Sequence, residues 1–405
     1  MTITTKADLR AARPFWAATP DIRVETQALP ERKEYDVIVV GAGISGAIVT
    51  RMLAGKNRRI LVVDRRSPVH GSTMASTAMI QYEIDVPLFK LSEMIGEDKA
   101  VRAWRRSARA VEDLVDLMKK HSVDCALEEK KTLFLAGDDL GYRALRKEAE
   151  LRAAKGLSAE YLEGSRLVEE YGLERTGAIR SDRSASANPA RMTAGLFRSL
   201  SQDEVTVCSP VEITDYRESG DEVVLATADG QLLSAGHVVF CSGYEFLKPM
   251  QSGHHQIMAT WAVATQPHAP RPAWLSSHIV WEASDPYLYF RATPDGRIIA
   301  GGEDEATSAT ITDPDIMKRK IARIGEKLEA LLGRPVGKIA YRWSARFGTT
   351  DDGLPIIDQV PGCSRVLSVM GFGGNGITFS MIAGQIVKSR ISGKDDPDGD
   401  LFTFR

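Results

Sequence analysis

Three glycines, Gly41, Gly43 and Gly46, stand between the apolar run Val37–Val40 and a stretch, Ala47 to Leu53, whose apolar spacing is helical. In this order of strand, turn and helix, G-x-G-x-x-G has a chemical meaning. Gly41 permits the tight turn, Gly43 lets the backbone approach a pyrophosphate, and Gly46 lets the helix pack close to the strand. The free N–H groups at the helix N-terminus then face the phosphate charge. A second apolar run, Arg59–Val63, ends in Asp64, about 20 residues past the glycines, where a carboxylate binds ribose hydroxyls. Next comes Gly71-Ser72-Thr73-Met74-Ala75-Ser76-Thr77-Ala78, which the pattern predicts to open a helix and to offer hydroxyl and N–H donors to a phosphate or a ring edge.

Near the C-terminus the same chemistry returns. Val366–Met370 predicts a strand, Gly371-Phe372-Gly373-Gly374-Asn375-Gly376-Ile377-Thr378 follows, and a helix runs on to about Arg390. A mononucleotide needs no second glycine-lined helix start. A flavin does, because its reduced ring carries negative charge near N1 and O2 that a helix N-terminus stabilises.

Other elements must position these two ends. Pro87 to Lys120 is predicted helical, with Trp104, Ala108, Val111, Leu114, Val115 and Met118 on one face and the stripe Arg102/Arg105/Arg106/Arg109 on a solvated one. Lys131–Gly137 predicts a strand, Asp138–Lys155 an amphipathic helix, and Asn188-Pro189 a capped helix start. Glu222–Thr227 and Gln231–Leu233 alternate around Asp229-Gly230 as a hairpin, and His237–Phe240 is a buried strand returning to the first sheet. From Tyr244 to about Lys338 the pattern is mainly β, closed by a helix over 315–332. Here Tyr287, Tyr289 and Arg291 share one strand face and become candidates for substrate contact.

Bulk properties narrow the classes. The 405 residues suit two domains, and 43% hydrophobic with 26% charged residues is ordinary for a globular chain. A net charge of −2 gives no pull toward nucleic acid or an anionic membrane, and no apolar run is long enough for a transmembrane segment. The N-terminal stretch to Pro30 lacks the apolar core of a signal peptide and is expected to be an arm packed on the surface. Cys125, Cys208, Cys241 and Cys363 are scattered, which fits a reducing cytoplasm; no cluster, His254-His255 included, has metal-ligand spacing.

Taken together, V-V-G-A-G-I-S-G (39–46), Asp64, G-S-T-M-A-S-T-A-M-I (71–80), V-V-F-C-S-G-Y-E (238–245), D-G-L-P-I-I-D (352–358) and G-F-G-G-N-G-I-T-F-S (371–380) occur in an order that resembles the D-amino-acid oxidase-like superfamily of FAD-dependent oxidoreductases, relatives of glycine oxidase, sarcosine oxidase and D-amino-acid dehydrogenase. The resemblance implies a mixed α/β (α+β) fold: an FAD-binding Rossmann-like domain interleaved with a substrate domain on an antiparallel sheet. The expected division is an arm at 1–34, FAD-binding segments at 35–85, 165–245 and 338–405, and substrate segments at 86–164 and 246–337. It implies that Gly41, Gly43, Ile44, Ser45 and Gly46 hold the pyrophosphate, and that Asp64, with Arg65 and Arg66 beside it, holds the adenosine ribose. Ser72, Thr73, Ser76 and Thr77 would line the path to the ring, Val211 would meet adenine, and Ser242 and Gly243 would flank the cofactor. Gly373, Gly374, Asn375, Gly376, Ile377 and Thr378 would sit at the pyrimidine edge.

Relatives that tether their flavin use a cysteine just before the D-G-L-P element or a histidine in the early loop; this chain has Trp343–Thr350 without cysteine, and Ala75, so non-covalent FAD is expected. Phe347 stands where glycine oxidase-like members hold a carboxylate-binding arginine, and Thr378 where sarcosine oxidase-like members hold a lysine. Arg346 is one residue from the first position, on the opposite strand face; Arg291 or Arg342 would have to serve as anchors. The expected reaction is hydride transfer from the carbon next to an amine nitrogen to flavin N5, giving an imine. Tyr289, Arg291 and Arg346 are the candidate substrate residues, the substrate an amine or amino acid, and O2 or a redox partner the acceptor. Competing readings are an electron-transfer subunit that only holds the flavin, and an NAD(P)-dependent dehydrogenase using the same first fingerprint.

Overall fold

The computed structural model describes residues 3–55, 57–202, 204–307 and 309–405; Met1 and Thr2 of the expected arm lie outside them. The strand Glu34–Val40 runs into the helix Ile44–Leu53, and Ile60–Val63 pairs beside it in parallel. Ile60–Val63 is buried throughout and the first strand is buried over Val37–Val39, as an inner parallel sheet requires. The sheet has eight strands. Its central path runs 356–359, 366–370, 232–240, 34–40, 60–63, 205–208, and the hairpin around Asp229-Gly230 extends it. Strands 34–40, 60–63, 232–240 and 366–370 end at one edge, so the loops after them meet there.

The second sheet has ten strands and is mostly antiparallel. It contains 255–265, 288–292 and 298–305, closed on its outer side by the helix Pro314–Leu332. Its membership redraws the expected division. Gly177–Ser186 and Ile339–Thr350, both assigned to FAD-binding segments from sequence, pair in this sheet. The helix Glu97–Lys120, assigned to the substrate part, packs on the helix Gly376–Ile391 in the core of the nucleotide-binding layer. Period alone shows which face of a helix is apolar, not which layer it covers.

Two further expectations change. The segment 87–120 breaks into two helices at Gly96, whose φ of +88° a helix cannot contain. The arginine stripe is only half solvated: Arg105 and Arg109 are exposed, but Arg106 is buried on Asp396 (2.9 Å) and Arg102 reaches Asp398 (3.1 Å) and Asp400 (2.7 Å), clasping the C-terminal tail. The arm does pack on the surface, and it is tied into the fold. Arg10–Ala11 adds an edge strand to the ten-stranded sheet and Trp16 is buried.

Candidate functional site

The helices Ile44–Leu53 and Gly376–Ile391 lie side by side with their N-termini at one end. Ser45 Oγ meets Ser380 Oγ at 2.8 Å, and Ser380 Oγ donates to Gly376 O at 2.5 Å. A single cleft, about 1920 Å³ counted out to its open mouth, passes both helix starts and continues under the ten-stranded sheet. The two glycine motifs, more than 300 residues apart in sequence, are therefore two parts of one wall.

At the first part, Gly41 has φ +115°, and a Cβ on Gly46 would lie 1.8 Å from Gly41 O. Helix and turn touch there only because Gly46 has no side chain, while a Cβ on Gly41 would meet Cys241 O at 2.3 Å. Thr73 Oγ1 accepts the Ile44 N–H at 2.9 Å, so a hydroxyl already sits at the helix start, and the neighbouring Ser72 Oγ is buried without a partner. Asp64 accepts from Ala42 N–H (2.7 Å) and Arg66 N–H (2.8 Å); burial pushes its carboxyl up and these two bonds oppose the shift. Arg65 and Arg66 both grip Glu245. Burial works against that carboxylate's charge, but the two guanidiniums outweigh it and hold its pKa below the usual range.

The Ser/Thr stretch is one short 3-10 turn, Ser72–Ala75, rather than the start of a longer helix. Beyond it the backbone is held open by side chains from elsewhere. Trp343 Nε1 donates to Ala75 O (2.9 Å), Trp16 Nε1 to Ser76 O (2.6 Å) and Arg291 Nε to Thr77 O (2.8 Å). Three successive carbonyls thus have three donors, one from the arm and two from the ten-stranded sheet. A helix would have used those carbonyls internally.

This corrects the reading of Arg291. It is 1% exposed, its guanidinium also donates to Ala187 O (3.0 Å) and Ala292 O (3.2 Å), and it does not border the cleft. Tyr287 and Tyr289, on the same strand face, do border it; by position 291 the strand has passed beneath the loop. Arg342, the other proposed anchor, is exposed and outside the cleft. Arg346 and Phe347 both border it, and Arg346 Nε is buried without a hydrogen-bond partner.

Of the candidate cofactor residues, Gly41, Gly43, Ile44, Ser45, Asp64, Arg65, Arg66, Ser72, Thr73, Ser76, Thr77, Val211, Ser242, Gly243 and Gly373 to Ile377 border the cleft. Gly46 and Thr378 do not. Gly46 is the point of helix contact just described. Thr378 is turned inward and donates to Gln81 O at 2.7 Å, because the 81–85 segment passes under the helix start. That segment carries residues the sequence reading missed, Gln81 and Asp85, as do the loop bearing Tyr244 and the strands bearing Thr260 and Trp281. The one available signal was an acid, Asp85, closing a buried run directly after the hydroxyl loop.

Tyr287 donates to Asp304 Oδ2 at 2.6 Å. Burial pushes the Asp304 carboxyl up to about 6 despite that bond. Among the described residues no group of three or more His, Cys, Asp or Glu is placed to hold a metal, and His254 pairs with Asp351 at 3.1 Å.

A family model for FAD-dependent oxidoreductases (DAO) matches residues 36–390. The chain belongs to that family. The oxidoreductase is 22% identical over 388 residues to the Haemophilus influenzae protein named "Probable oxidoreductase OrdL", covering 91% of this chain and 85% of that one. It is 23% identical over 394 residues to N-methyl-L-tryptophan oxidase of Escherichia coli, covering 92% and 98%. Among solved structures, glycine oxidase from Geobacillus kaustophilus superposes with a TM-score of 0.74 at 20% identity over 92% of this chain and 99% of that one, which shows a shared fold. The cofactor of the oxidoreductase is FAD, and the NAD(P) reading falls away. The cleft fits FAD by its own geometry: two converging helix starts, close backbone approach at Gly41, and an unpartnered Ser72 hydroxyl.

Proposed function

We propose that this oxidoreductase oxidises the C–N bond of an amine or amino acid to an imine, which water then hydrolyses. Bound FAD supplies a hydride acceptor at its N5. The chain's own residues do the rest. The N–H groups from Gly43 to Ser45, with the Thr73 hydroxyl, would take the pyrophosphate, and Asp64 the ribose. The glycine loop at 373–377 would offer the pyrimidine edge its N–H donors other than that of Gly374, which Asp85 already accepts, and Val211 backbone would meet adenine. Tyr287, Tyr289, Phe347 and Arg346 wall the part of the cleft left for substrate. The observation that carries the reading is Arg346: a guanidinium nitrogen buried without a partner, in the same cleft as both glycine motifs. A substrate carboxylate is the chemistry that satisfies it.

The attachment is non-covalent in this reading. Ala75 and the strand 339–350 offer no cysteine or histidine, and Cys241, which does border the cleft, has its thiol pushed up to about 12 by burial. Acid precipitation should therefore release all yellow colour into the supernatant. The four cysteines stand free, which a reducing cytoplasm accommodates. No helix among the described residues is long and apolar enough to cross a membrane.

The test is anaerobic titration of FAD-replete protein with D-amino acids, N-methyl amino acids and polyamines, watching absorbance at about 450 nm. Bleaching by at least one class supports the reading; a flavin that no C–N substrate bleaches refutes it. Oxygen uptake during turnover then separates O2 from a redox partner as acceptor.

A further inference from the structure

Asp85 is fixed at the substrate end of the cleft by the loop that opens the last helix. Thr378 Oγ1 donates to Gln81 O (2.7 Å), Asn375 Nδ2 to Glu83 O (2.9 Å), and Gly374 N–H to Asp85 Oδ2 (2.8 Å). Beneath, the Thr132 hydroxyl donates to the Glu83 carboxylate, and Arg152, buried on Glu148 at 2.7 Å, lies close enough to favour the Glu83 charge. The backbone of 81–85 is thus held from both sides. A Cβ on Gly373 would sit 2.7 Å from Asp85 Oδ2, so the loop approaches the carboxylate as closely as glycine allows.

What Asp85 lacks is a counter-charge. Its side chain is exposed to the open cleft, with the 373–374 backbone packed against one side of the carboxylate, and among the described residues no lysine, arginine or histidine pairs with it. The titratable groups that feel it are Tyr244, Tyr287 and Asp304, all acids. Burial pushes the Asp85 carboxyl up and one N–H opposes the shift. Once cofactor and substrate displace water from the cleft, an ionised carboxylate there is costly unless a cation meets it. The same cleft carries the unpartnered Arg346 nitrogen, so it offers a cation as well as this anion, beside the unpartnered Ser72, Thr260 and Trp281 groups.

We propose that Asp85 seats the ammonium group of the substrate and takes one of its protons before C–H cleavage. The inference rests on the amine-oxidation reading and deepens it. In the step an N–H bond of the ammonium breaks and an O–H bond forms on Asp85 Oδ; a +1/−1 pair becomes two neutral groups, with no other reactant needed. The freed nitrogen lone pair can then assist departure of the neighbouring hydride. In water an ammonium does not give its proton to a carboxylate, but when cofactor and substrate fill the cleft and exclude water both charges are penalised and the balance shifts toward the neutral pair. A purely structural Asp85 would need only to accept the Gly374 N–H, which an asparagine does equally well.

The holoenzyme and its D85N variant, both FAD-replete, are titrated with ethylammonium chloride and with ethanol by calorimetry. Wild type should bind ethylammonium at least tenfold more tightly than D85N, with ethanol unchanged. Equal ethylammonium affinity overturns the inference, whether or not an oxidisable substrate has been found. With a bleaching amine in hand, kcat/KM of D85N should climb about tenfold per pH unit toward the amine's own pKa. Wild type should level off earlier, and parallel profiles overturn the proposal while leaving amine oxidation intact. D85S is the second variant; loss of FAD by both D85N and D85S also overturns it, since the carboxylate then serves the loop rather than the ligand.

Discussion

Replacing Arg291 by methionine separates a substrate residue from a scaffold residue. In the structure its guanidinium feeds three backbone carbonyls, Thr77 O, Ala187 O and Ala292 O, at 2.8, 3.0 and 3.2 Å. R291M leaves all three without that donor, at roughly 1–3 kcal/mol each where no water reaches them. Part of this is returned, because a buried cation no longer has to be desolvated; burial already lowers the Arg291 pKa to about 10, leaving it charged at neutral pH. A net loss of about 3 kcal/mol is the balance we expect. With 405 residues and roughly 2.1 cal/mol/K of unfolding entropy per residue, a cooperative melt would shift by about 3–4 °C. The assay pairs a thermal melt with amine KM measured at saturating FAD. The expected result is a lower Tm and an unchanged KM, with R291K intermediate in Tm because it keeps the charge but not the fork. A raised KM at an unaltered Tm would refute the assignment and return Arg291 to the substrate.

Arg346→Met should raise KM for carboxylate-bearing amines by roughly 10–100-fold, the value of a charge-assisted hydrogen bond, and leave amines without a carboxylate unaffected; equal effects on both would remove the anchor. Gly46→Ala puts a Cβ 1.8 Å from Gly41 O, against backbone that cannot yield cheaply, so the purified variant should lose most of its FAD. A full FAD complement in that variant would show that the helix and turn can part. Asp304→Asn probes burial of charge. The folded-state pKa of about 6 lies above the ordinary 3.8, so the folded form holds its proton longer, and wild type loses stability as pH rises through that window. D304N should gain roughly 2–3 kcal/mol over wild type above about pH 6, with the advantage vanishing below about pH 4. A pH-independent difference would deny the shift.

The glycine motifs, Asp64 and the hydroxyl loop were legible because their chemistry is local. A backbone that must turn tightly, free its N–H groups and start a helix needs particular residues at fixed neighbouring positions, and Gly41, Gly46 and Gly376 declare this in one dimension. The strand face bearing Tyr287 and Tyr289 was legible for the same reason, since a two-residue period follows from the pleat alone. The rest depends on contacts between residues far apart in the chain. Nothing within ten positions of Arg291 says that the carbonyls of Thr77 and Ala187 will lie over it, so a charged residue on a promising face read as a ligand anchor. Arg346 differs only in what surrounds it, which leaves its Nε unpartnered at the cleft. Asp85 became visible only when Gly374 and Asn375 were brought against it, and Thr378 against Gln81, across nearly the whole chain. Sequence by itself determined the two helix starts and hence the cofactor class. Tertiary packing decided which buried charges are satisfied by the protein and which are left to be satisfied by a ligand, because desolvation and partnership are properties of the surroundings, not of the residue.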